Sequence, residues 1–540
     1  MRYLVQVVML LVMLGVGSAV AAVPTTIPTT MPVVRMEKLG PYYESFFLLA
    51  VSGDGRHLAE VALVNTKQQI FVDGQAGPEY DRFLHLAFSS DGTRFVYSAQ
   101  KGEKQIVVVD GQAGPEYDEV GMPVFSPDGK RVAYIGTKGE KQLVVVDGQV
   151  GPEYDKIGSY MPIFSADSQH VAYSAKKGEK WLVVVDRKVG PEYDRIGDPV
   201  FSPDGQHVAY SVEKGKKWLV VTDGQAGPEY DAIAALIFSP DSKRMASVAI
   251  KDNKWLVVAD GQAGPGYDRV MRPIFSPDGK RLAYVAWKGN KLLVVMDGRV
   301  GPEYDKIAGY SVFFSPDGKR VAYSAKNGEK WLVVVDGVAG PEYDNILESP
   351  PIFSPDGKRV AYAVRNGKTW MVVVDGRVGP EYDEIAGYSV VFSPDGQRVV
   401  YSAKKGAKWM VVVDGQAGPE YDRVWRFLFN PDGQRVVYCA KQGGKEFVVV
   451  DGQAGPEFEK IDHYMPIFAS DGQHMAYSAK KGEKWLVVVD GQAGPEFDTL
   501  WTTSINSYPE ARLKFDAQGE LVYLGVKDKV LYRVTCGVVR

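Results

Sequence analysis

Five aromatic side chains stand out in this 540-residue chain as candidates for binding chemistry. Most of the chain is a repeat, and these residues occur where the repeat lengthens or changes. Aromatic rings with a polar group bury a large apolar area and still form hydrogen bonds, which suits a recognition surface. The predicted partner-binding residues are Tyr160, Tyr310, Tyr388, Trp425 and Tyr464.

Catalytic chemistry has little support in the sequence. Four of the six histidines occupy one repeated position, where most other units have arginine: His57, His170, His207 and His474. The chain has no G-x-S-x-G elbow, no H-E-x-x-H motif, no phosphate loop and no Cys/His cluster at metal-binding spacing. We predict no catalytic residue, no metal site and no cofactor. The alternative is a glycosidase-type carboxylate pair, with Glu348 as its first candidate.

Charge excludes one class of partner and suggests another. The chain has 63 Lys and Arg against 67 Asp and Glu, so its total charge gives no reason to expect nucleic acid. Lysine-rich KKGEK or KKGAK segments recur near Lys176, Lys404 and Lys480. With the Asp-Gly and Pro-Glu segments expected on the opposite face, these lysines predict a basic face for an anionic partner.

The repeat predicts the fold. Gly-Pro pairs recur at intervals of 37 or 39 residues, a period typical of propellers and solenoids. They mark thirteen units, at Gly40, Gly77, Gly114, Gly151, Gly190, Gly227, Gly264, Gly301, Gly340, Gly379, Gly418, Gly455 and Gly494. Each unit has four segments rich in Val, Ile, Tyr, Phe and Trp, and Asp-Gly pairs favour tight hairpins between them. We predict an all-β fold of thirteen four-stranded antiparallel propeller blades.

The repeat also resembles a known family. The residues FSPDGKRVAY followed by WLVVVDG are similar to the WD-repeat-like propeller of the TolB family. The resemblance covers the repeats and implies a β-propeller that takes part in protein interactions of the cell envelope. TolB has an α/β domain ahead of its propeller, and this chain has only a short segment there, so the resemblance does not extend beyond the repeats.

Thirteen blades exceed the four to eight that are usual in one ring. The repeat interval is mostly 37 residues up to Gly301 and mostly 39 after it. We therefore predict a seven-bladed propeller over residues 40–297 and a six-bladed one over 298–540. Six blades followed by seven is the close alternative, and a single large ring or an open array also stays possible. A strand near Gly40 is expected to complete the last blade, because this closes the sheet edge.

The longer units place the candidate residues. Their two extra residues fall after the predicted fourth strand and before the next first strand. In a propeller this connection reaches the mouth of the central channel, so Tyr310, Tyr388 and Tyr464 are expected to surround it in the second propeller. The alternative is that these rings only fill the channel mouth.

The N-terminal segment predicts export. Residues 1–22 have Arg2, an apolar stretch and small residues that end in Ala21-Ala22, the layout of a cleaved signal peptide. The apolar stretch is too short for a membrane span, and residues 23–39 are expected to form a Pro/Thr-rich linker. We expect a periplasmic or secreted monomer with no membrane segment after cleavage. Cys439 and Cys536 are predicted to be structural thiols rather than a disulfide.

Taken together, the residues predict an exported, non-catalytic β-propeller scaffold. Its expected partner is an unidentified envelope protein or an anionic polymer. The alternative function is a propeller that binds or cleaves a carbohydrate or a wall polymer.

Overall fold

The computed structural model of the protein describes residues 33–41, 46–52, 56–158, 161–310, 312–347, 350–462, 466–500, 513–516 and 519–537. These residues form thirteen antiparallel sheets that follow one another as the blades of a propeller ring. The predicted all-β, thirteen-bladed fold is therefore confirmed. No described segment forms a helix with the length and apolarity that a membrane span needs.

Each blade runs from an innermost first strand to an outermost fourth strand. The second strands are Leu58–Val64, Phe95–Lys101, Val132–Lys138, Val171–Lys177, Val208–Lys214, Met245–Lys251, Leu282–Lys288, Val321–Asn327, Val360–Asn366, Val399–Lys405, Val436–Gln442, Met475–Lys481 and Leu521–Lys527. The third strands are Lys67–Val72, Lys104–Val109, Lys141–Val146, Lys180–Val185, Lys217–Thr222, Lys254–Ala259, Lys291–Met296, Lys330–Val335, Thr369–Val374, Lys408–Val413, Lys445–Val450, Lys484–Val489 and Val530–Gly537.

The outermost strands begin after the Asp-Gly turns. They are Gln75–Tyr80, Gln112–Tyr117, Gln149–Val150, Lys188–Val189, Gln225–Ala226, Gln262–Ala263, Arg299–Tyr304, Val338–Ala339, Arg377–Val378, Gln416–Ala417, Gln453–Ala454, Gln492–Phe497 and, for the last blade, Val33–Pro41. Proline in the repeated GPEY segment has no N–H to offer to another strand, so it protects this exposed edge from pairing with other sheets.

The first strands are of two kinds. Four are continuous: Phe46–Val51, Arg82–Phe88, Ala232–Phe238 and Arg423–Phe429. Nine are interrupted: Glu119–Val120 with Val124–Phe125, Lys156–Ile157 with Ile163–Phe164, Arg195–Ile196 with Val200–Phe201, Arg269–Val270 with Ile274–Phe275, Lys306–Ile307 with Phe313–Phe314, Asn345–Ile346 with Ile352–Phe353, Glu384–Ile385 with Val391–Phe392, Lys460–Ile461 with Ile467–Phe468, and Thr499–Leu500 with Lys514–Phe515. A 3-10 turn, Ala308–Tyr310, lies inside one interruption.

Repeated tyrosines and glycines join neighbouring blades. Tyr117 ends the fourth strand of blade 2 and packs edge-to-face on Tyr134 of blade 3, with 6.3 Å between ring centroids. The glycine of GPEY leaves room for this contact: a Cβ at Gly114 would lie 3.1 Å from the Tyr134 hydroxyl oxygen. The recurrence of glycine at this place in the repeat is thus explained by packing.

A repeated arginine forms the second contact between blades. Arg320 Nε donates to Asp336 in the Asp-Gly turn of its own blade at 2.9 Å. Its Nη1 donates to the carbonyl oxygen of Lys358 in the next blade, and the guanidinium stacks over Phe353 of that blade at 5.4 Å. Where histidine replaces arginine the turn contact persists, since His170 Nδ1 lies 2.6 Å from Asp186 Oδ2. The histidines are therefore equivalent to the arginines, as the sequence predicts.

The chain closes on itself at its two ends. Val33–Pro41 pairs antiparallel with Val530–Gly537 and supplies the fourth strand of blade 13. Blade 13 then packs on blade 1, because Leu524 and Leu531 share one buried cluster with Leu58. Closure by the N-terminal strand is confirmed. This strand begins at residue 33, so it overlaps the segment 23–39 that was expected to be a linker, and residues 1–32 lie outside the described part.

The predicted division into seven and six blades is not confirmed. The expected boundary at 297/298 falls inside blade 7, whose fourth strand is Arg299–Tyr304. Blades 7 and 8 share one core, in which Val294 packs with Ile307 and Tyr323. The described strands therefore continue as one ring across this point.

Thirteen blades leave a wide channel. First strands of adjacent blades contact each other, as Phe46–Val51 and Arg82–Phe88 do, which places them nearest the axis. Sheets stack about 10 Å apart, so a ring of thirteen blades has a diameter of about 40 Å, measured at the middle of each blade. The four strands of one blade together extend about 14 Å along the radius. This leaves about 27 Å between opposite first strands, too wide for side chains to fill.

The cysteines are buried and free, as predicted. Cys439 lies in the second strand of blade 11 and Cys536 in the third strand of blade 13. Burial raises the pKa of Cys439 to about 12 and that of Cys536 to about 11, which keeps both thiols protonated and unreactive.

The arginine contact gives a first prediction. Arg320→Ala removes two charge-assisted hydrogen bonds and a stacked aromatic contact, so we expect a loss of about 1–2 kcal/mol in the free energy of unfolding. The neighbouring Lys319→Ala is the control, because its side chain is 80% exposed and should change stability by less than about 0.5 kcal/mol. Urea unfolding of both variants measures the difference, and equal midpoints would contradict the role of the arginine.

The closing interface contains a buried acid. Glu60 stands where most second strands have tyrosine, is 4% exposed, and has an Oε2 atom with no hydrogen-bond partner in the described part of the chain. Burial raises its pKa from the ordinary 4.5 to about 7. The folded chain therefore holds this proton up to about pH 7, whereas the unfolded chain releases it near pH 4.5.

This shift predicts a dependence of stability on pH. Between pH 4.5 and 7 the folded state binds more protons than the unfolded state, so rising pH destabilises the fold, by up to about 3 kcal/mol. Glu60→Gln should remove this loss and raise the unfolding temperature at pH 8 relative to the unsubstituted chain. Thermal unfolding at pH 5 and pH 8 tests it, with the exposed Glu103→Gln as control. An unchanged pH dependence in Glu60→Gln would be the contrary result.

Candidate binding site on the channel wall

The extra residues of the longer units lie within the innermost strand. Glu384–Ile385 and Val391–Phe392 both pair with the same second strand, Val399–Lys405. The sequence prediction placed this segment between two blades, and that placement is wrong. The dipeptide after GPEYD already belongs to the first strand of the next blade. The interruption is therefore part of the innermost strand, and it is not a connection at the channel mouth.

The structure describes three of the five predicted partner-binding residues. Tyr160 and Tyr464 lie outside the described residues, as does Glu348. Tyr310 ends the 3-10 turn of blade 8. Tyr388 of blade 10 is 70% exposed, and Trp425 of blade 11 is half-buried.

Backbone conformation singles out blades 10 and 11. Tyr388 has a φ of 57° and Arg426 a φ of 56°, in the left-handed region that ordinary side chains disfavour. Among the described residues, every other non-glycine residue with positive φ lies in a hairpin turn between strands. Both exceptions are exposed and occupy the interruption or bulge of the first strand in adjacent blades. Such strained positions tend to occur at functional sites.

The strain at Tyr388 is not required by its local sequence. Blades 8 and 10 carry the same tetrapeptide, Ala-Gly-Tyr-Ser, in this interruption. In blade 8 the glycine, Gly309, takes the left-handed conformation with φ 60°. In blade 10 the tyrosine takes it and Gly387 does not. The same tetrapeptide therefore adopts two backbone conformations, and in blade 10 the left-handed residue is the exposed Tyr388.

Polar groups adjoin the exposed ring and the neighbouring indole. Ser389 is 4% exposed, and its hydroxyl has no hydrogen-bond partner in the described part of the chain. In blade 11 the Arg423 guanidinium stacks over Trp425 at 5.4 Å. Trp425 lies opposite the buried Cys439 and packs on the core between blades 11 and 12.

We name Tyr388, Ser389, Trp425 and Arg426 the channel-wall patch. It offers an exposed aromatic ring, a half-buried indole and a guanidinium that can bind a carboxylate through two parallel hydrogen bonds. These groups suit binding by stacking and charge-assisted hydrogen bonds. Trp425 was predicted as a partner-binding residue, but the left-handed backbone at Arg426 has no signal in the sequence.

The predicted basic face is not formed as expected. The acidic GPEYD segments lie beside the lysine-rich turns, not on the opposite face. Lys217 Nζ lies 2.6 Å from Asp231 Oδ1, and Asp231 also accepts a hydrogen bond from the backbone N–H of Asp252 in the next blade at 2.8 Å. These contacts lower the pKa of Asp231, the lysine first among their causes. The last lysine of most of these turns is thus paired with an aspartate.

Other possible sites give no unique geometry. His85 Nδ1 lies 2.9 Å from Ser98 Oγ in blade 2, and burial lowers its pKa. Within the described residues no three His, Cys, Asp or Glu side chains are grouped to hold a metal ion. Crevices of 420 and 290 Å³ lie between blades 10 and 11 and between blades 3 and 4. They occupy equivalent places in the repeat and so follow from blade packing.

Comparison with known proteins gives likeness of fold only. No protein-family model and no curated protein matches the chain. A structure of a eukaryotic initiation factor is 11% identical, with 67% of this chain and 95% of that chain covered and a TM-score of 0.28. TolB from Acinetobacter baumannii is 17% identical, with 47% and 77% covered and a TM-score of 0.21. The GH74 enzyme from Niastella koreensis is 12% identical, with 92% and 91% covered and a TM-score of 0.23.

If the backbone at Tyr388 is strained, substitutions at this residue should change stability in a different order from substitutions at an ordinary strand position. Tyr388→Gly should be more stable than Tyr388→Ala by about 1 kcal/mol, because only glycine adopts left-handed φ without steric cost. At Val391, an exposed position in the second half of the same strand, the order should reverse, with Val391→Gly less stable than Val391→Ala. Thermal unfolding of the four variants decides the matter, and the same order at both positions would argue against strain.

Proposed function

We propose that this protein is a non-catalytic binding scaffold that holds a partner protein at the channel-wall patch of blades 10 and 11. The observation that carries the proposal is the pair of exposed, left-handed residues, Tyr388 and Arg426, at corresponding places in adjacent blades. Most of the ring repeats one packing scheme from blade to blade. A departure that costs backbone energy and exposes an aromatic ring has no role in that scheme.

The chemistry of the patch favours a protein partner. A tyrosine, a tryptophan and an arginine are the residues most enriched at the energetic centres of protein interfaces. The channel, about 27 Å across by the sheet spacing, admits an extended chain or a helix of about 10–12 Å diameter. A partner segment can therefore enter the ring and reach the patch from inside.

Export forms part of the proposal and is supported by the sequence of residues 1–22. Their basic, apolar and small-residue regions follow the order of a cleaved signal peptide. The proposed location is the periplasm or the exterior of the cell, where the partner would be an envelope protein.

A crosslinked pull-down from the envelope fraction tests the function. The tagged chain should recover a specific protein, and Tyr388→Ala with Arg426→Ala should reduce that recovery at least about tenfold, because residues at an interface centre often contribute more than 1.4 kcal/mol each. The recovered chain should also have the mass of a protein that lacks residues 1–22.

The matched control lies on the outer edge of the ring. Val338→Ala with Arg377→Ala removes an exposed apolar side chain and an exposed arginine from fourth strands and should leave recovery unchanged. Equal recovery by both double variants would reject the patch. Release of sugar from envelope polymers by the purified chain, unaffected by the patch variants, would instead support the carbohydrate-active alternative.

A further inference from the structure

The outer edge of the ring departs from its repeat in three consecutive blades. In seven blades the outermost strand begins with Gln and Ala after the Asp-Gly turn. In blades 7, 8 and 9 it begins instead with Arg299-Val300, Val338-Ala339 and Arg377-Val378. Blades 7 and 8 share one core and blades 8 and 9 share the next, so the three strands are neighbours on the edge.

These replacements leave apolar side chains in contact with solvent. Val300 and Val378 are each 55% exposed, and Val338 is 71% exposed. No large apolar side chain in the described ranges is more exposed than Val338. Arg299 and Arg377 are exposed beside them. We name these five residues the outer-edge patch, and exposed apolar groups bordered by charge are typical of surfaces that bind another protein.

A partner cannot extend the sheet at this edge. Pro302 and Pro380 lie in the same outer segments and have no N–H to offer to a further strand. Contact with a partner must therefore come from side chains, and the order of those side chains indicates which partner fits.

The order of charges makes the patch complementary to itself. Residues 377–381 of blade 9 read Arg-Val-Gly-Pro-Glu, with a cation at one end and a carboxylate at the other. Residues 299–303 of blade 7 read the same. A second copy of such a segment, running in the opposite direction, places its glutamate opposite the arginine and its proline opposite the valine. Two blades, one on either side of Val338, therefore satisfy the same arrangement.

Most of these charges have no partner within their own chain. Among the described residues Arg299, Arg377 and Glu381 form no ion pair, whereas Glu303 pairs with Lys288 at 2.9 Å. Opposite charges that are unpaired in one chain are available to a second chain. Charge complementarity across an interface fixes its register and suppresses binding of wrong partners.

One two-fold axis produces the reversal in all three blades. The glycine of GPEY occupies the same place in each of them. An axis that lies in the plane of the ring, touches its edge and passes at the level of these glycines brings each blade against its own counterpart. Arg377 then lies opposite Glu381 of the second copy. Arg299 lies opposite Glu303 of the second copy in the same way, so one patch serves both sides of the contact.

We propose that the outer-edge patch binds a second copy of this chain and joins two rings edge to edge. This goes beyond the proposed function, since the outer-edge patch lies on the outermost strands and the channel-wall patch on the innermost ones. It replaces the monomer expected from the sequence with a symmetric dimer. Val338 lies in the central blade of the contact, and an arginine lies in the blade on either side.

Sedimentation equilibrium of the full chain, purified from its own envelope fraction, tests the dimer. We expect a reversible dimer with a dissociation constant of about 10 µM, at the weak end for protein interfaces, because few residues contribute. High salt should weaken it, since its ion pairs are exposed to solvent. A chain that stays monomeric at about 100 µM would overturn the proposal.

Charge reversal tests the pairing. Arg377→Glu places two carboxylates opposite each other, and the change occurs twice in a symmetric dimer, so association should weaken at least about tenfold. Adding Glu381→Arg to the same chain exchanges the two charges and should restore association to within about twofold. Restoration identifies a contact between copies, because the two side chains form no pair within one chain. Loss without restoration would overturn the pairing.

Blade 4 supplies the matched control. Residues 188–192 there read Lys-Val-Gly-Pro-Glu, and Val189 is 55% exposed. The neighbouring blades 3 and 5 begin their outermost strands with the uncharged Gln149 and Gln225. Lys188→Glu should therefore leave association unchanged. Dissociation by Lys188→Glu alone would place the interface in blade 4, and equal loss in Lys188→Glu and Arg377→Glu would indicate a general effect of charge. Either result rejects the outer-edge patch.

Photocrosslinking identifies what contacts the patch. A benzophenone side chain in place of Val338 should give a product of twice the chain mass. Crosslinks only to a different protein would show that another partner covers the patch, and would overturn the dimer. The outcome is separate from the envelope pull-down, because a monomeric Arg377→Glu chain should still recover the partner proposed for the channel-wall patch.

Discussion

The arginine that joins one blade to the next in seven of the thirteen blades is the contact on which most of the ring depends. A four-stranded blade cannot bury its own faces, so its stability comes from the neighbours on either side. Arg320 fixes the turn of its own blade through Asp336 and contacts both a carbonyl group and the ring of Phe353 in the next blade. Thirteen blades in one closed ring correspond to a rotation of about 28° from each blade to the next.

Closure of the ring uses different residues from every other interface. Arg533 of blade 13 forms ion pairs with Glu37 of the N-terminal strand and with Asp73 of blade 1, at 2.9 and 2.7 Å. Arg56 of blade 1 reaches Asp516 of blade 13 at 2.9 Å. Glu60 replaces the tyrosine that joins most other blades. The closing interface therefore contains ion pairs and a buried acid, and burial raises the pKa of that acid.

Much of the fold could be predicted because the same four-strand pattern occurs in all thirteen units of the sequence. The Asp-Gly pairs predict the hairpins, and the proline of GPEY explains why the outer sheet edge does not pair with other sheets. The position of His170 within the repeat predicts that it is equivalent to the arginines. The number of rings could not be predicted, because the angle between blades depends on small differences in packing between residues that recur in every unit. The dipeptide after GPEYD was misplaced for a related reason: it continues the sequence of the fourth strand but pairs with the next second strand, as Glu384–Ile385 does.

The same redundancy explains why the candidate site was only partly visible in the sequence. Charges that recur in the repeat pair with each other, as Lys217 does with Asp231, so the acidic GPEYD segments share a face with the lysine-rich turns. The strain at Tyr388 had no sequence signal at all, since the identical tetrapeptide of blade 8 places it on Gly309 instead. In this repeat protein the recurring residues build the ring, so the proposed binding site is sought among the residues that depart from the repeat.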